Sequence, residues 1–219
     1  MINIAIDGPS AAGKSTIAKL LAKKLKYVHL DTGAMYRCCA YASLYYGIDL
    51  NDTKRLEDMM NEITISFSNE GHILLNEIDV NDKIRTNEIS MRTSSIAQLP
   101  FVREKLVHIQ QNIAQSKGFV LDGRDIGTVV LPDADIKIFL VASVEARAKR
   151  RYQEYENQNI DVDYEDIYKD IEKRDFQDIN RKISPLKKAD DAVEIDTSTL
   201  SIQQVLDKIL EVIKKKEKE

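Results

Sequence analysis

The segment Gly8–Ser15 contains the residues whose types and spacing have the clearest chemical meaning. It reads Gly-Pro-Ser-Ala-Ala-Gly-Lys-Ser and matches the pattern of a phosphate-binding loop at every fixed position. Glycines let backbone N–H groups converge on a polyphosphate, and the helix expected after the loop adds further N–H groups and the positive end of its dipole. In such loops the lysine, here Lys14, reaches the terminal phosphates, and the hydroxyl, here Ser15, is a ligand of Mg²⁺.

An acidic residue at the end of another apolar run is a candidate for the same metal site. Asp122 follows Phe119–Leu121, and a carboxylate in this position of a P-loop protein holds Mg²⁺, often through water. Asp125 is a second candidate for that role, and a turn or helix cap is the structural alternative for Asp122.

Arginines that share helix faces indicate a second anion. One arginine alone is usually a surface charge, but two arginine faces in an acidic chain with a phosphate loop favour a polyanion site. Fixed guanidinium groups offset the repulsion between two sets of phosphate oxygens. The helical spacings i, i+3, i+4 and i, i+4, i+7 group Arg147, Arg150 and Arg151 on one face and Arg174, Asp178 and Arg181 on another.

Composition sets the class of protein. The chain has 219 residues, a net charge of −4, 43% apolar residues and 31% charged residues, which excludes a wholly disordered chain and disfavours a general nucleic-acid or membrane-surface binder. Its central apolar run, Ile138–Ala142, is far shorter than the ~20 residues that span a bilayer. We expect no secretory signal, two reduced thiols at Cys38 and Cys39, and a cytoplasmic location. The three histidines, His29, His72 and His108, are interpreted as structural or exposed.

Short apolar strands alternate with amphipathic helices along most of the chain, which predicts an α/β fold: a three-layer parallel sheet with helices on both faces. The predicted strands lie at Met1–Asp7, Tyr27–Leu30, Phe119–Leu121, Ile136–Val141 and Ala192–Asp196. The predicted helices lie at about Gly13–Leu25, around Met35–Leu44, up to Gln98, and at Pro100–Lys117, Ser143–Tyr155, Tyr164–Asn180 and Ile202–Ile213.

A change of period marks a small insert. Ile63–Phe67 alternates with period two, Ser68–Gly71 is a turn signal, and Ile73–Leu75 and Ile78–Val80 are further short strands. We therefore expect a small antiparallel sheet within the α/β fold. Asn157–Val162 is expected to be a flexible tip. The tail Lys214–Glu219 is expected to fray.

A phosphate loop fits a small-molecule kinase, a regulatory GTPase or a mechanical ATPase. A GTPase would carry Asn-Lys-x-Asp and Asp-x-x-Gly strings, and neither occurs in the sequence. A mechanical ATPase usually needs a larger or oligomeric assembly, which nothing in the sequence indicates. A small-molecule kinase remains the favoured class, with a nucleotide-binding switch or ATPase as the alternative.

Four strings together closely resemble those of bacterial cytidylate kinases, over essentially the whole chain. They are Ile6–Ser10 leading into Gly13–Ser15, Asp31–Arg37, Asp122–Val130, and Lys173–Asp175 with Asn180 and Arg181. The resemblance implies Mg²⁺-dependent phosphoryl transfer from ATP to CMP, with dCMP also accepted and UMP poorer. A P-loop kinase for another acceptor, such as UMP, AMP or a small alcohol, is the nearest alternative. It implies a monomer that acts on these small molecules, and neither nucleic acid nor a membrane is implied as a partner.

The resemblance also implies a division of one domain, residues 1–219. The core would comprise about 1–61, 86–146 and 181–219, the nucleoside-monophosphate-binding insert about 62–85, and a helical lid about 147–180. Residues are assigned by matching motifs. The loop residues implied to bind ATP are Gly8, Pro9, Ser10, Ala11, Ala12, Gly13, Lys14, Ser15 and Thr16, with Asp196–Ser198 near the adenine.

The remaining motifs imply the acceptor site and the catalytic groups. Arg37, Arg124 and Arg181 would hold the CMP phosphate, assisted by Thr32; Ser94 (or the adjacent Ser95), Arg103 and Asp125 would read cytosine; Arg174 and Asp178 would contact the sugar. A carboxylate that accepts the C4 amino group of cytosine would repel the C4 oxygen of uracil. No general base is needed, because the attacking phosphate oxygen is already ionised. The implied catalytic residues are Lys14, Arg124, Arg181 and the lid residues Arg147 and Arg151.

Overall fold

A computed structural model describes residues 1–68, 71–157 and 159–216 of the chain. The predictions made for Asn69, Glu70, Gln158 and Glu217–Glu219 lie outside these residues. The chain divides into two compact units, the first formed by Met1–His29 with Ser116–Glu219 and the second by Leu30–Gln115.

The predicted strands and helices occur in the expected order, with a helix at Thr53–Glu62 as an addition to them. The strands are β1 (Ile4–Asp7), β2 (Val28–Asp31), β3 (Ile65–Phe67), β4 (Ile73–Leu75), β5 (Ile78–Asp79), β6 (Phe119–Gly123), β7 (Ile136–Val141) and β8 (Val193–Asp196). The helices are α1 (Lys14–Leu25), α2 (Thr32–Tyr45), α3 (Thr53–Glu62), α4 (Asn87–Ile96), α5 (Pro100–Ala114), α6 (Val144–Asn157), α7 (Tyr164–Asn180) and α8 (Ile202–Lys216).

A five-stranded sheet with the order β2-β6-β1-β7-β8 forms the framework of the first unit. β1 pairs in parallel with β6 and β7, and β7 pairs in parallel with β8. Every residue of β1 is buried, as expected for a central strand with both faces covered. Helix α1 packs against β6 and helix α8 against β7, and the apolar core joins Ile6, Leu21 and Ile209. The predicted α/β fold class is confirmed.

The parallel register decides which residues meet at the edge of the sheet. Asp7, the last residue of β1, lies opposite Gly123 of β6 and Phe139 of β7. The phosphate loop therefore leaves β1 at the same edge at which β6 delivers Asp122 and Arg124. The carboxyl edge of a parallel sheet is where ligands of such folds bind.

The second unit has its own core, in which Met35, Leu56, Ile73, Ile84 and Leu106 are fully or almost fully buried. The predicted small antiparallel sheet is confirmed, in the order β3-β4-β5.

Among the described residues, three elements were not predicted: helix α3, a 3₁₀ turn at Lys83–Arg85 and the turn that follows Asp125. Half of the ten residues of helix α3 are charged, but its three buried side chains, Leu56, Met59 and Met60, have helical spacing, a sequence signal that the prediction did not use. Asp52 caps the helix by accepting the N–H of Arg55. Residues Ile126–Val130 form a short π-helical turn, which has no recognisable sequence period.

Some boundaries also differ from prediction. β1 begins at Ile4 and not at Met1, and α5 ends at Ala114 and not at Lys117, because the chain turns at Lys117 and Gly118, both at positive φ. Within the described ranges, no helix has the length and apolarity required to cross a bilayer.

Position 8 requires glycine because the backbone of Leu140 lies too close to leave room for a Cβ. It has a φ of +149°, and a Cβ on it would lie 2.1 Å from the carbonyl oxygen of Leu140. We expect Gly8→Ala to lower the free energy of unfolding by roughly 2–5 kcal/mol, from combined steric and backbone strain. Urea denaturation measures this change.

Gly47→Ala is the matched control. Gly47 also has a positive φ, of +61°, but a Cβ on it would have no atom of the described residues within 4 Å. We expect it to cost only about 1 kcal/mol. Equal costs for the two variants would show that the contact with Leu140 is not limiting.

Candidate active site

The phosphate loop holds its lysine in a buried position. Residues Gly8–Thr16 run from the end of β1 into the first turn of α1, whose N-cap is Gly13 at a φ of +89°. Lys14 is 5% exposed, and its Nζ donates a hydrogen bond to the carbonyl oxygen of Pro9 at 2.6 Å. Burial, together with the nearby charge of Arg124, lowers the pKa of Lys14 well below its ordinary value. An anion bound at the loop would stabilise the charged form of this ammonium group.

Ser15, Asp122 and His29 form a connected group beside the loop. The Ser15 hydroxyl donates to Asp122 Oδ2 at 2.6 Å, and His29 Nε2 lies 2.7 Å from Asp122 Oδ1. Burial by itself would raise the pKa of Asp122, but the contacts with His29 and Ser15 outweigh it and hold that pKa below its ordinary value. The carboxylate is thus ionised, and it places an oxygen next to the Ser15 hydroxyl.

This donor set fits Mg²⁺. Magnesium in phosphate-transfer sites takes one or two oxygen ligands from the protein and keeps waters and substrate phosphates for the rest. A serine hydroxyl and an ionised carboxylate in contact, at the mouth of a phosphate loop, supply this chemistry. From the sequence, His29 is interpreted only as structural or exposed, and no motif indicates its contact with Asp122.

A second group of charges surrounds Asp178. Arg124 Nε donates to Asp178 Oδ2 at 2.8 Å, and Arg181 Nη1 lies 3.8 Å from Asp178 Oδ1. Arg174 is close enough to act on the same carboxylate. Burial raises the pKa of Asp178, but the charges of Arg124 and Arg174 outweigh burial, so that the net shift is downward. Arg124, which follows the last residue of β6, thus contacts the predicted helix face of Arg174, Asp178 and Arg181 through Asp178.

Asp125 is buried and held from two sides. Its Oδ1 lies 3.4 Å from Arg181 Nη2. Its backbone carbonyl accepts the N–H groups of Val129 and Val130 at 2.9 and 3.1 Å. The N–H groups that follow it in the chain, on Ile126 and Gly127, donate to the two carboxylate oxygens of Asp7 at 2.8 and 2.7 Å.

The three arginines of α6 share a face but make different contacts. Arg147 is 3% exposed and donates to the carbonyls of Ala142 and Ser10 at 3.0 and 3.2 Å and to Asp175 at 2.6 Å. It therefore connects the phosphate loop to α7. Arg151 lies against its neighbour Tyr155, with its guanidinium 5.5 Å from the ring centre and 3.1 Å from the hydroxyl.

Arg150 lines a cavity of about 410 Å³ beside the phosphate loop. The loop residues Ala11–Ile17 form one wall, and Arg150 and Thr197 contribute to the rest. Thr197 is buried; its hydroxyl lies 3.2 Å from the carbonyl oxygen of Ala12 and 3.1 Å from that of Val141, and it accepts from Arg150 Nη1 at 3.2 Å. Sequence spacing alone did not indicate that Arg150 differs in role from Arg147 and Arg151.

The remaining predicted site residues belong to the second unit. Asp31 Oδ1 caps α2 by accepting the N–H of Ala34 at 2.9 Å, while its Oδ2 accepts from Arg37 Nη2 at 3.0 Å. Arg103 is buried, with its guanidinium 5.3 Å from the ring centre of Tyr36, and its Nη1 donates to the carbonyl of Ala97 at 3.2 Å. Of the other predicted residues in this unit, Thr32 is buried at the start of α2, Ser94 is half-buried on α4, and Ser95 is exposed.

Comparison with known proteins shows the family to which the chain belongs. A family model described as cytidylate kinase matches residues 4–215. The chain belongs to the cytidylate kinase family. It is 50% identical over 218 residues to the cytidylate kinase of Bacillus subtilis, covering 98% of this chain and 97% of that one. It is 47% identical over 221 residues to the cytidylate kinase of Lactobacillus johnsonii, covering 100% of this chain and 96% of that one.

A solved structure supports the fold at lower similarity. The shikimate kinase of Bacteroides thetaiotaomicron aligns with a TM-score of 0.50 and 11% identity, over 97% of this chain and 98% of that one. At this identity the likeness concerns the fold alone. The predicted resemblance to bacterial cytidylate kinases is confirmed by the family match.

The contact between Arg147 and Asp175 can be tested by a double-mutant cycle. We expect Arg147→Met to lower the free energy of unfolding by about 3 kcal/mol, because it leaves the Asp175 carboxylate largely buried without its cation. Asp175→Asn in the Arg147→Met background should recover part of that loss. Urea denaturation of the wild type, both single variants and the double variant gives the coupling. Strictly additive losses would show that the two side chains do not stabilise each other.

Proposed function

We propose that this chain transfers the γ-phosphoryl group of ATP to CMP or dCMP, giving ADP with CDP or dCDP. The observation that carries the proposal is 50% identity, over nearly the full length of both chains, to a curated cytidylate kinase. The buried Lys14 of the phosphate loop and the guanidinium groups around Asp178 support it, because phosphoryl transfer between two anions needs fixed positive charge at both.

The ATP half of the proposed site is built by the phosphate loop and the cavity beside it. We propose that Gly8–Thr16 bind the phosphates through backbone N–H groups and Lys14. The cavity of about 410 Å³ lies within the size range of small-molecule sites and is proposed to take the adenosine moiety, with Asp196–Ser198 at its edge.

Ser15 and Asp122 are the residues that we propose to hold Mg²⁺, Asp122 either directly or through water. The contact between their oxygens favours Asp122 over Asp125, whose carboxylate faces Arg181. When bound, the metal would neutralise charge on the phosphate oxygens. His29 then orients the Asp122 carboxylate through its contact with Oδ1.

The acceptor half is proposed residue by residue. In the first unit, Arg124 and Arg181 are proposed to bind the CMP phosphate, Arg174 and Asp178 the sugar, and Asp125 the C4 amino group of cytosine. In the second unit, Arg37 and Thr32 are proposed to bind the phosphate, and Ser94 and Arg103 the base. The buried Nε of Arg37 supports a ligand role, because it has no hydrogen-bond acceptor among the described residues.

The proposed mechanism uses positioning and charge and no general base. The attacking oxygen belongs to a phosphate monoester whose second pKa is about 6, so that it is ionised at neutral pH. Lys14, Arg124 and Arg181 stabilise the charge that is spread over the transferred group, and a fixed geometry aligns the two reactants. Arg151, and Arg147 through the Ser10 carbonyl, are proposed to complete the donor side.

The domain roles and the setting are also proposed. Residues about 147–180 would act as a lid that excludes water from the γ-phosphoryl group, and residues about 62–85 as the nucleoside-monophosphate-binding insert. We propose a cytoplasmic monomer that acts on small molecules and on neither nucleic acid nor a membrane. Both cysteines are free and buried, which is consistent with a reducing compartment.

A panel of acceptors tests the proposed reaction. With Mg²⁺ and ATP present, we expect ADP release to be stimulated most by CMP and dCMP, less by UMP, and little by AMP or small alcohols. A coupled ADP-release assay measures this. A best acceptor other than CMP or dCMP would assign the chain to another kinase activity, and slow hydrolysis without stimulation by any monophosphate would favour a switch or ATPase.

In the same ADP-release assay, Lys14→Ala should lower kcat by about 10²–10³-fold, whereas Lys19→Ala, on the exposed side of α1, should not.

Asp125 tests the reading of the base. We expect Asp125→Ala to reduce the ratio of kcat/KM for CMP to that for UMP by roughly tenfold to hundredfold, since one base contact is worth about 1–3 kcal/mol. Steady-state kinetics with both acceptors measures the ratio. Equal losses with CMP and UMP would instead assign Asp125 to holding Arg181, which it contacts at 3.4 Å.

A further inference from the structure

Asp7 is a buried carboxylate that takes no part in the chemistry proposed above. It ends β1, immediately before the phosphate loop, and is 4% exposed. Its side chain is directed at the turn that follows β6, where Oδ1 accepts the N–H of Ile126 at 2.8 Å and Oδ2 accepts the N–H of Gly127 at 2.7 Å. Each oxygen of the carboxylate thus holds one backbone amide.

These two amides open the π-helical turn Ile126–Val130. The first N–H groups of any helical segment have no acceptor inside it, and a carboxylate is well suited to accept them. The carbonyl oxygen of Asp125, in the peptide group that carries the Ile126 N–H, accepts the N–H groups of Val129 and Val130 from the same turn. Asp125 has a φ of −145° and a ψ of 26°, outside the regular helix and strand regions, so its conformation depends on contacts such as these.

We infer that Asp7 is a positioning residue for the acceptor half of the site: it fixes the backbone at Asp125 and thereby the directions of the Arg124 and Asp125 side chains. This inference rests on the proposed function, in which those two side chains bind CMP. Asp7 belongs to β1, which leads into the phosphate loop, yet its carboxylate accepts the N–H groups of the turn that follows the neighbouring strand β6.

The charge state of Asp7 agrees with this role. Burial raises its pKa to about 6, and the two backbone hydrogen bonds oppose a larger rise. The carboxylate is therefore ionised at neutral pH, and both oxygens are available as acceptors. Hydrogen bonds from backbone N–H groups to an ionised carboxylate are stronger than those to a neutral acceptor.

Close packing at Gly127 leaves the turn little freedom to shift. A Cβ at this position would lie 3.1 Å from Lys137 Cδ and 3.4 Å from Asp7 Oδ2. The Lys137 side chain is itself held at its end, where Nζ contacts Asp191 at 2.8 Å and the carbonyl of Pro132. Gly127→Ala therefore offers a way to move the turn while the charge of Asp7 is kept.

Asp7→Asn is the direct test. The asparagine side chain has the same shape but turns an N–H donor towards one of the two amides, so that one hydrogen bond is lost. We expect the Kd of CMP, measured calorimetrically without ATP, to rise by roughly tenfold, and the CMP-to-UMP ratio of kcat/KM to fall by a similar factor. The Kd of ATP should change by less than about threefold, because the loop contacts are kept.

Asp135→Asn is the matched control. Asp135 accepts the N–H of Asn3, just before the opposite end of β1, at 2.8 Å and also pairs with Lys117. It should lower stability without changing the CMP-to-UMP ratio. If Asp7→Asn lowers the unfolding temperature but leaves both CMP affinity and that ratio as in the wild type, Asp7 is only structural and the inference is wrong.

Two further measurements do not depend on the folding of Asp7→Asn. In the wild type without nucleotides, hydrogen exchange of the Ile126 and Gly127 amides should be slow; exchange as fast as that of exposed amides would overturn the inference. Gly127→Ala should weaken CMP binding more than ATP binding, and a reversed order would also overturn it. Failure of the proposed function is recognised separately, because the wild-type protein would then show no preference for CMP in the acceptor panel.

Discussion

The parallel pairing of β1 with β6 is the constraint on which the first unit's site depends. Since Asp7 and Gly123 lie opposite each other, the phosphate loop and the segment Asp122–Asp125 leave the sheet at one edge. Ser15 can then contact Asp122, and the Asp7 carboxylate can hold the amides after Asp125. A shift of register by one residue would reverse the side of the sheet to which these side chains point.

Buried positive charge is the second feature that shapes the molecule. The side chain of Lys14 is almost wholly buried, and so is that of Arg181, and each is close to other cations or to a carboxylate that several cations share. The carboxylates of Asp178, Asp31 and Asp175 hold arginine side chains in fixed orientations. Groups that are already oriented would need little rearrangement to bind the phosphates of the proposed substrates, and such prior orientation is the basis of electrostatic catalysis.

The aspartate carboxylates of this chain therefore have different structural roles, although they are chemically the same group. Asp122 is kept ionised by His29 and Ser15 and is the carboxylate that we propose as a metal ligand. Asp178 balances arginines, and Asp7 holds backbone amides. These roles differ because the surroundings of the side chains differ: burial raises the pKa of a carboxyl group, and neighbouring hydrogen-bond donors or cations lower it.

The α/β class, the phosphate loop, most strands and helices, and the family could be predicted from the residues alone, because they depend on local periodicity and on short strings of fixed spacing. Helix α3 was not predicted although its apolar side chains Leu56, Met59 and Met60 have helical spacing. The π-helical turn after Asp125 was not predicted because it has no clear period. Folding brings together residues that no motif connects: His29 contacts Asp122, and Asp7 accepts the N–H groups of Ile126 and Gly127. Folding also gives Arg147, Arg150 and Arg151 different partners, although they share one helix face. Contacts between residues more than 90 positions apart in the chain, such as the first two, follow from strand register and packing, and no local pattern in the sequence records them.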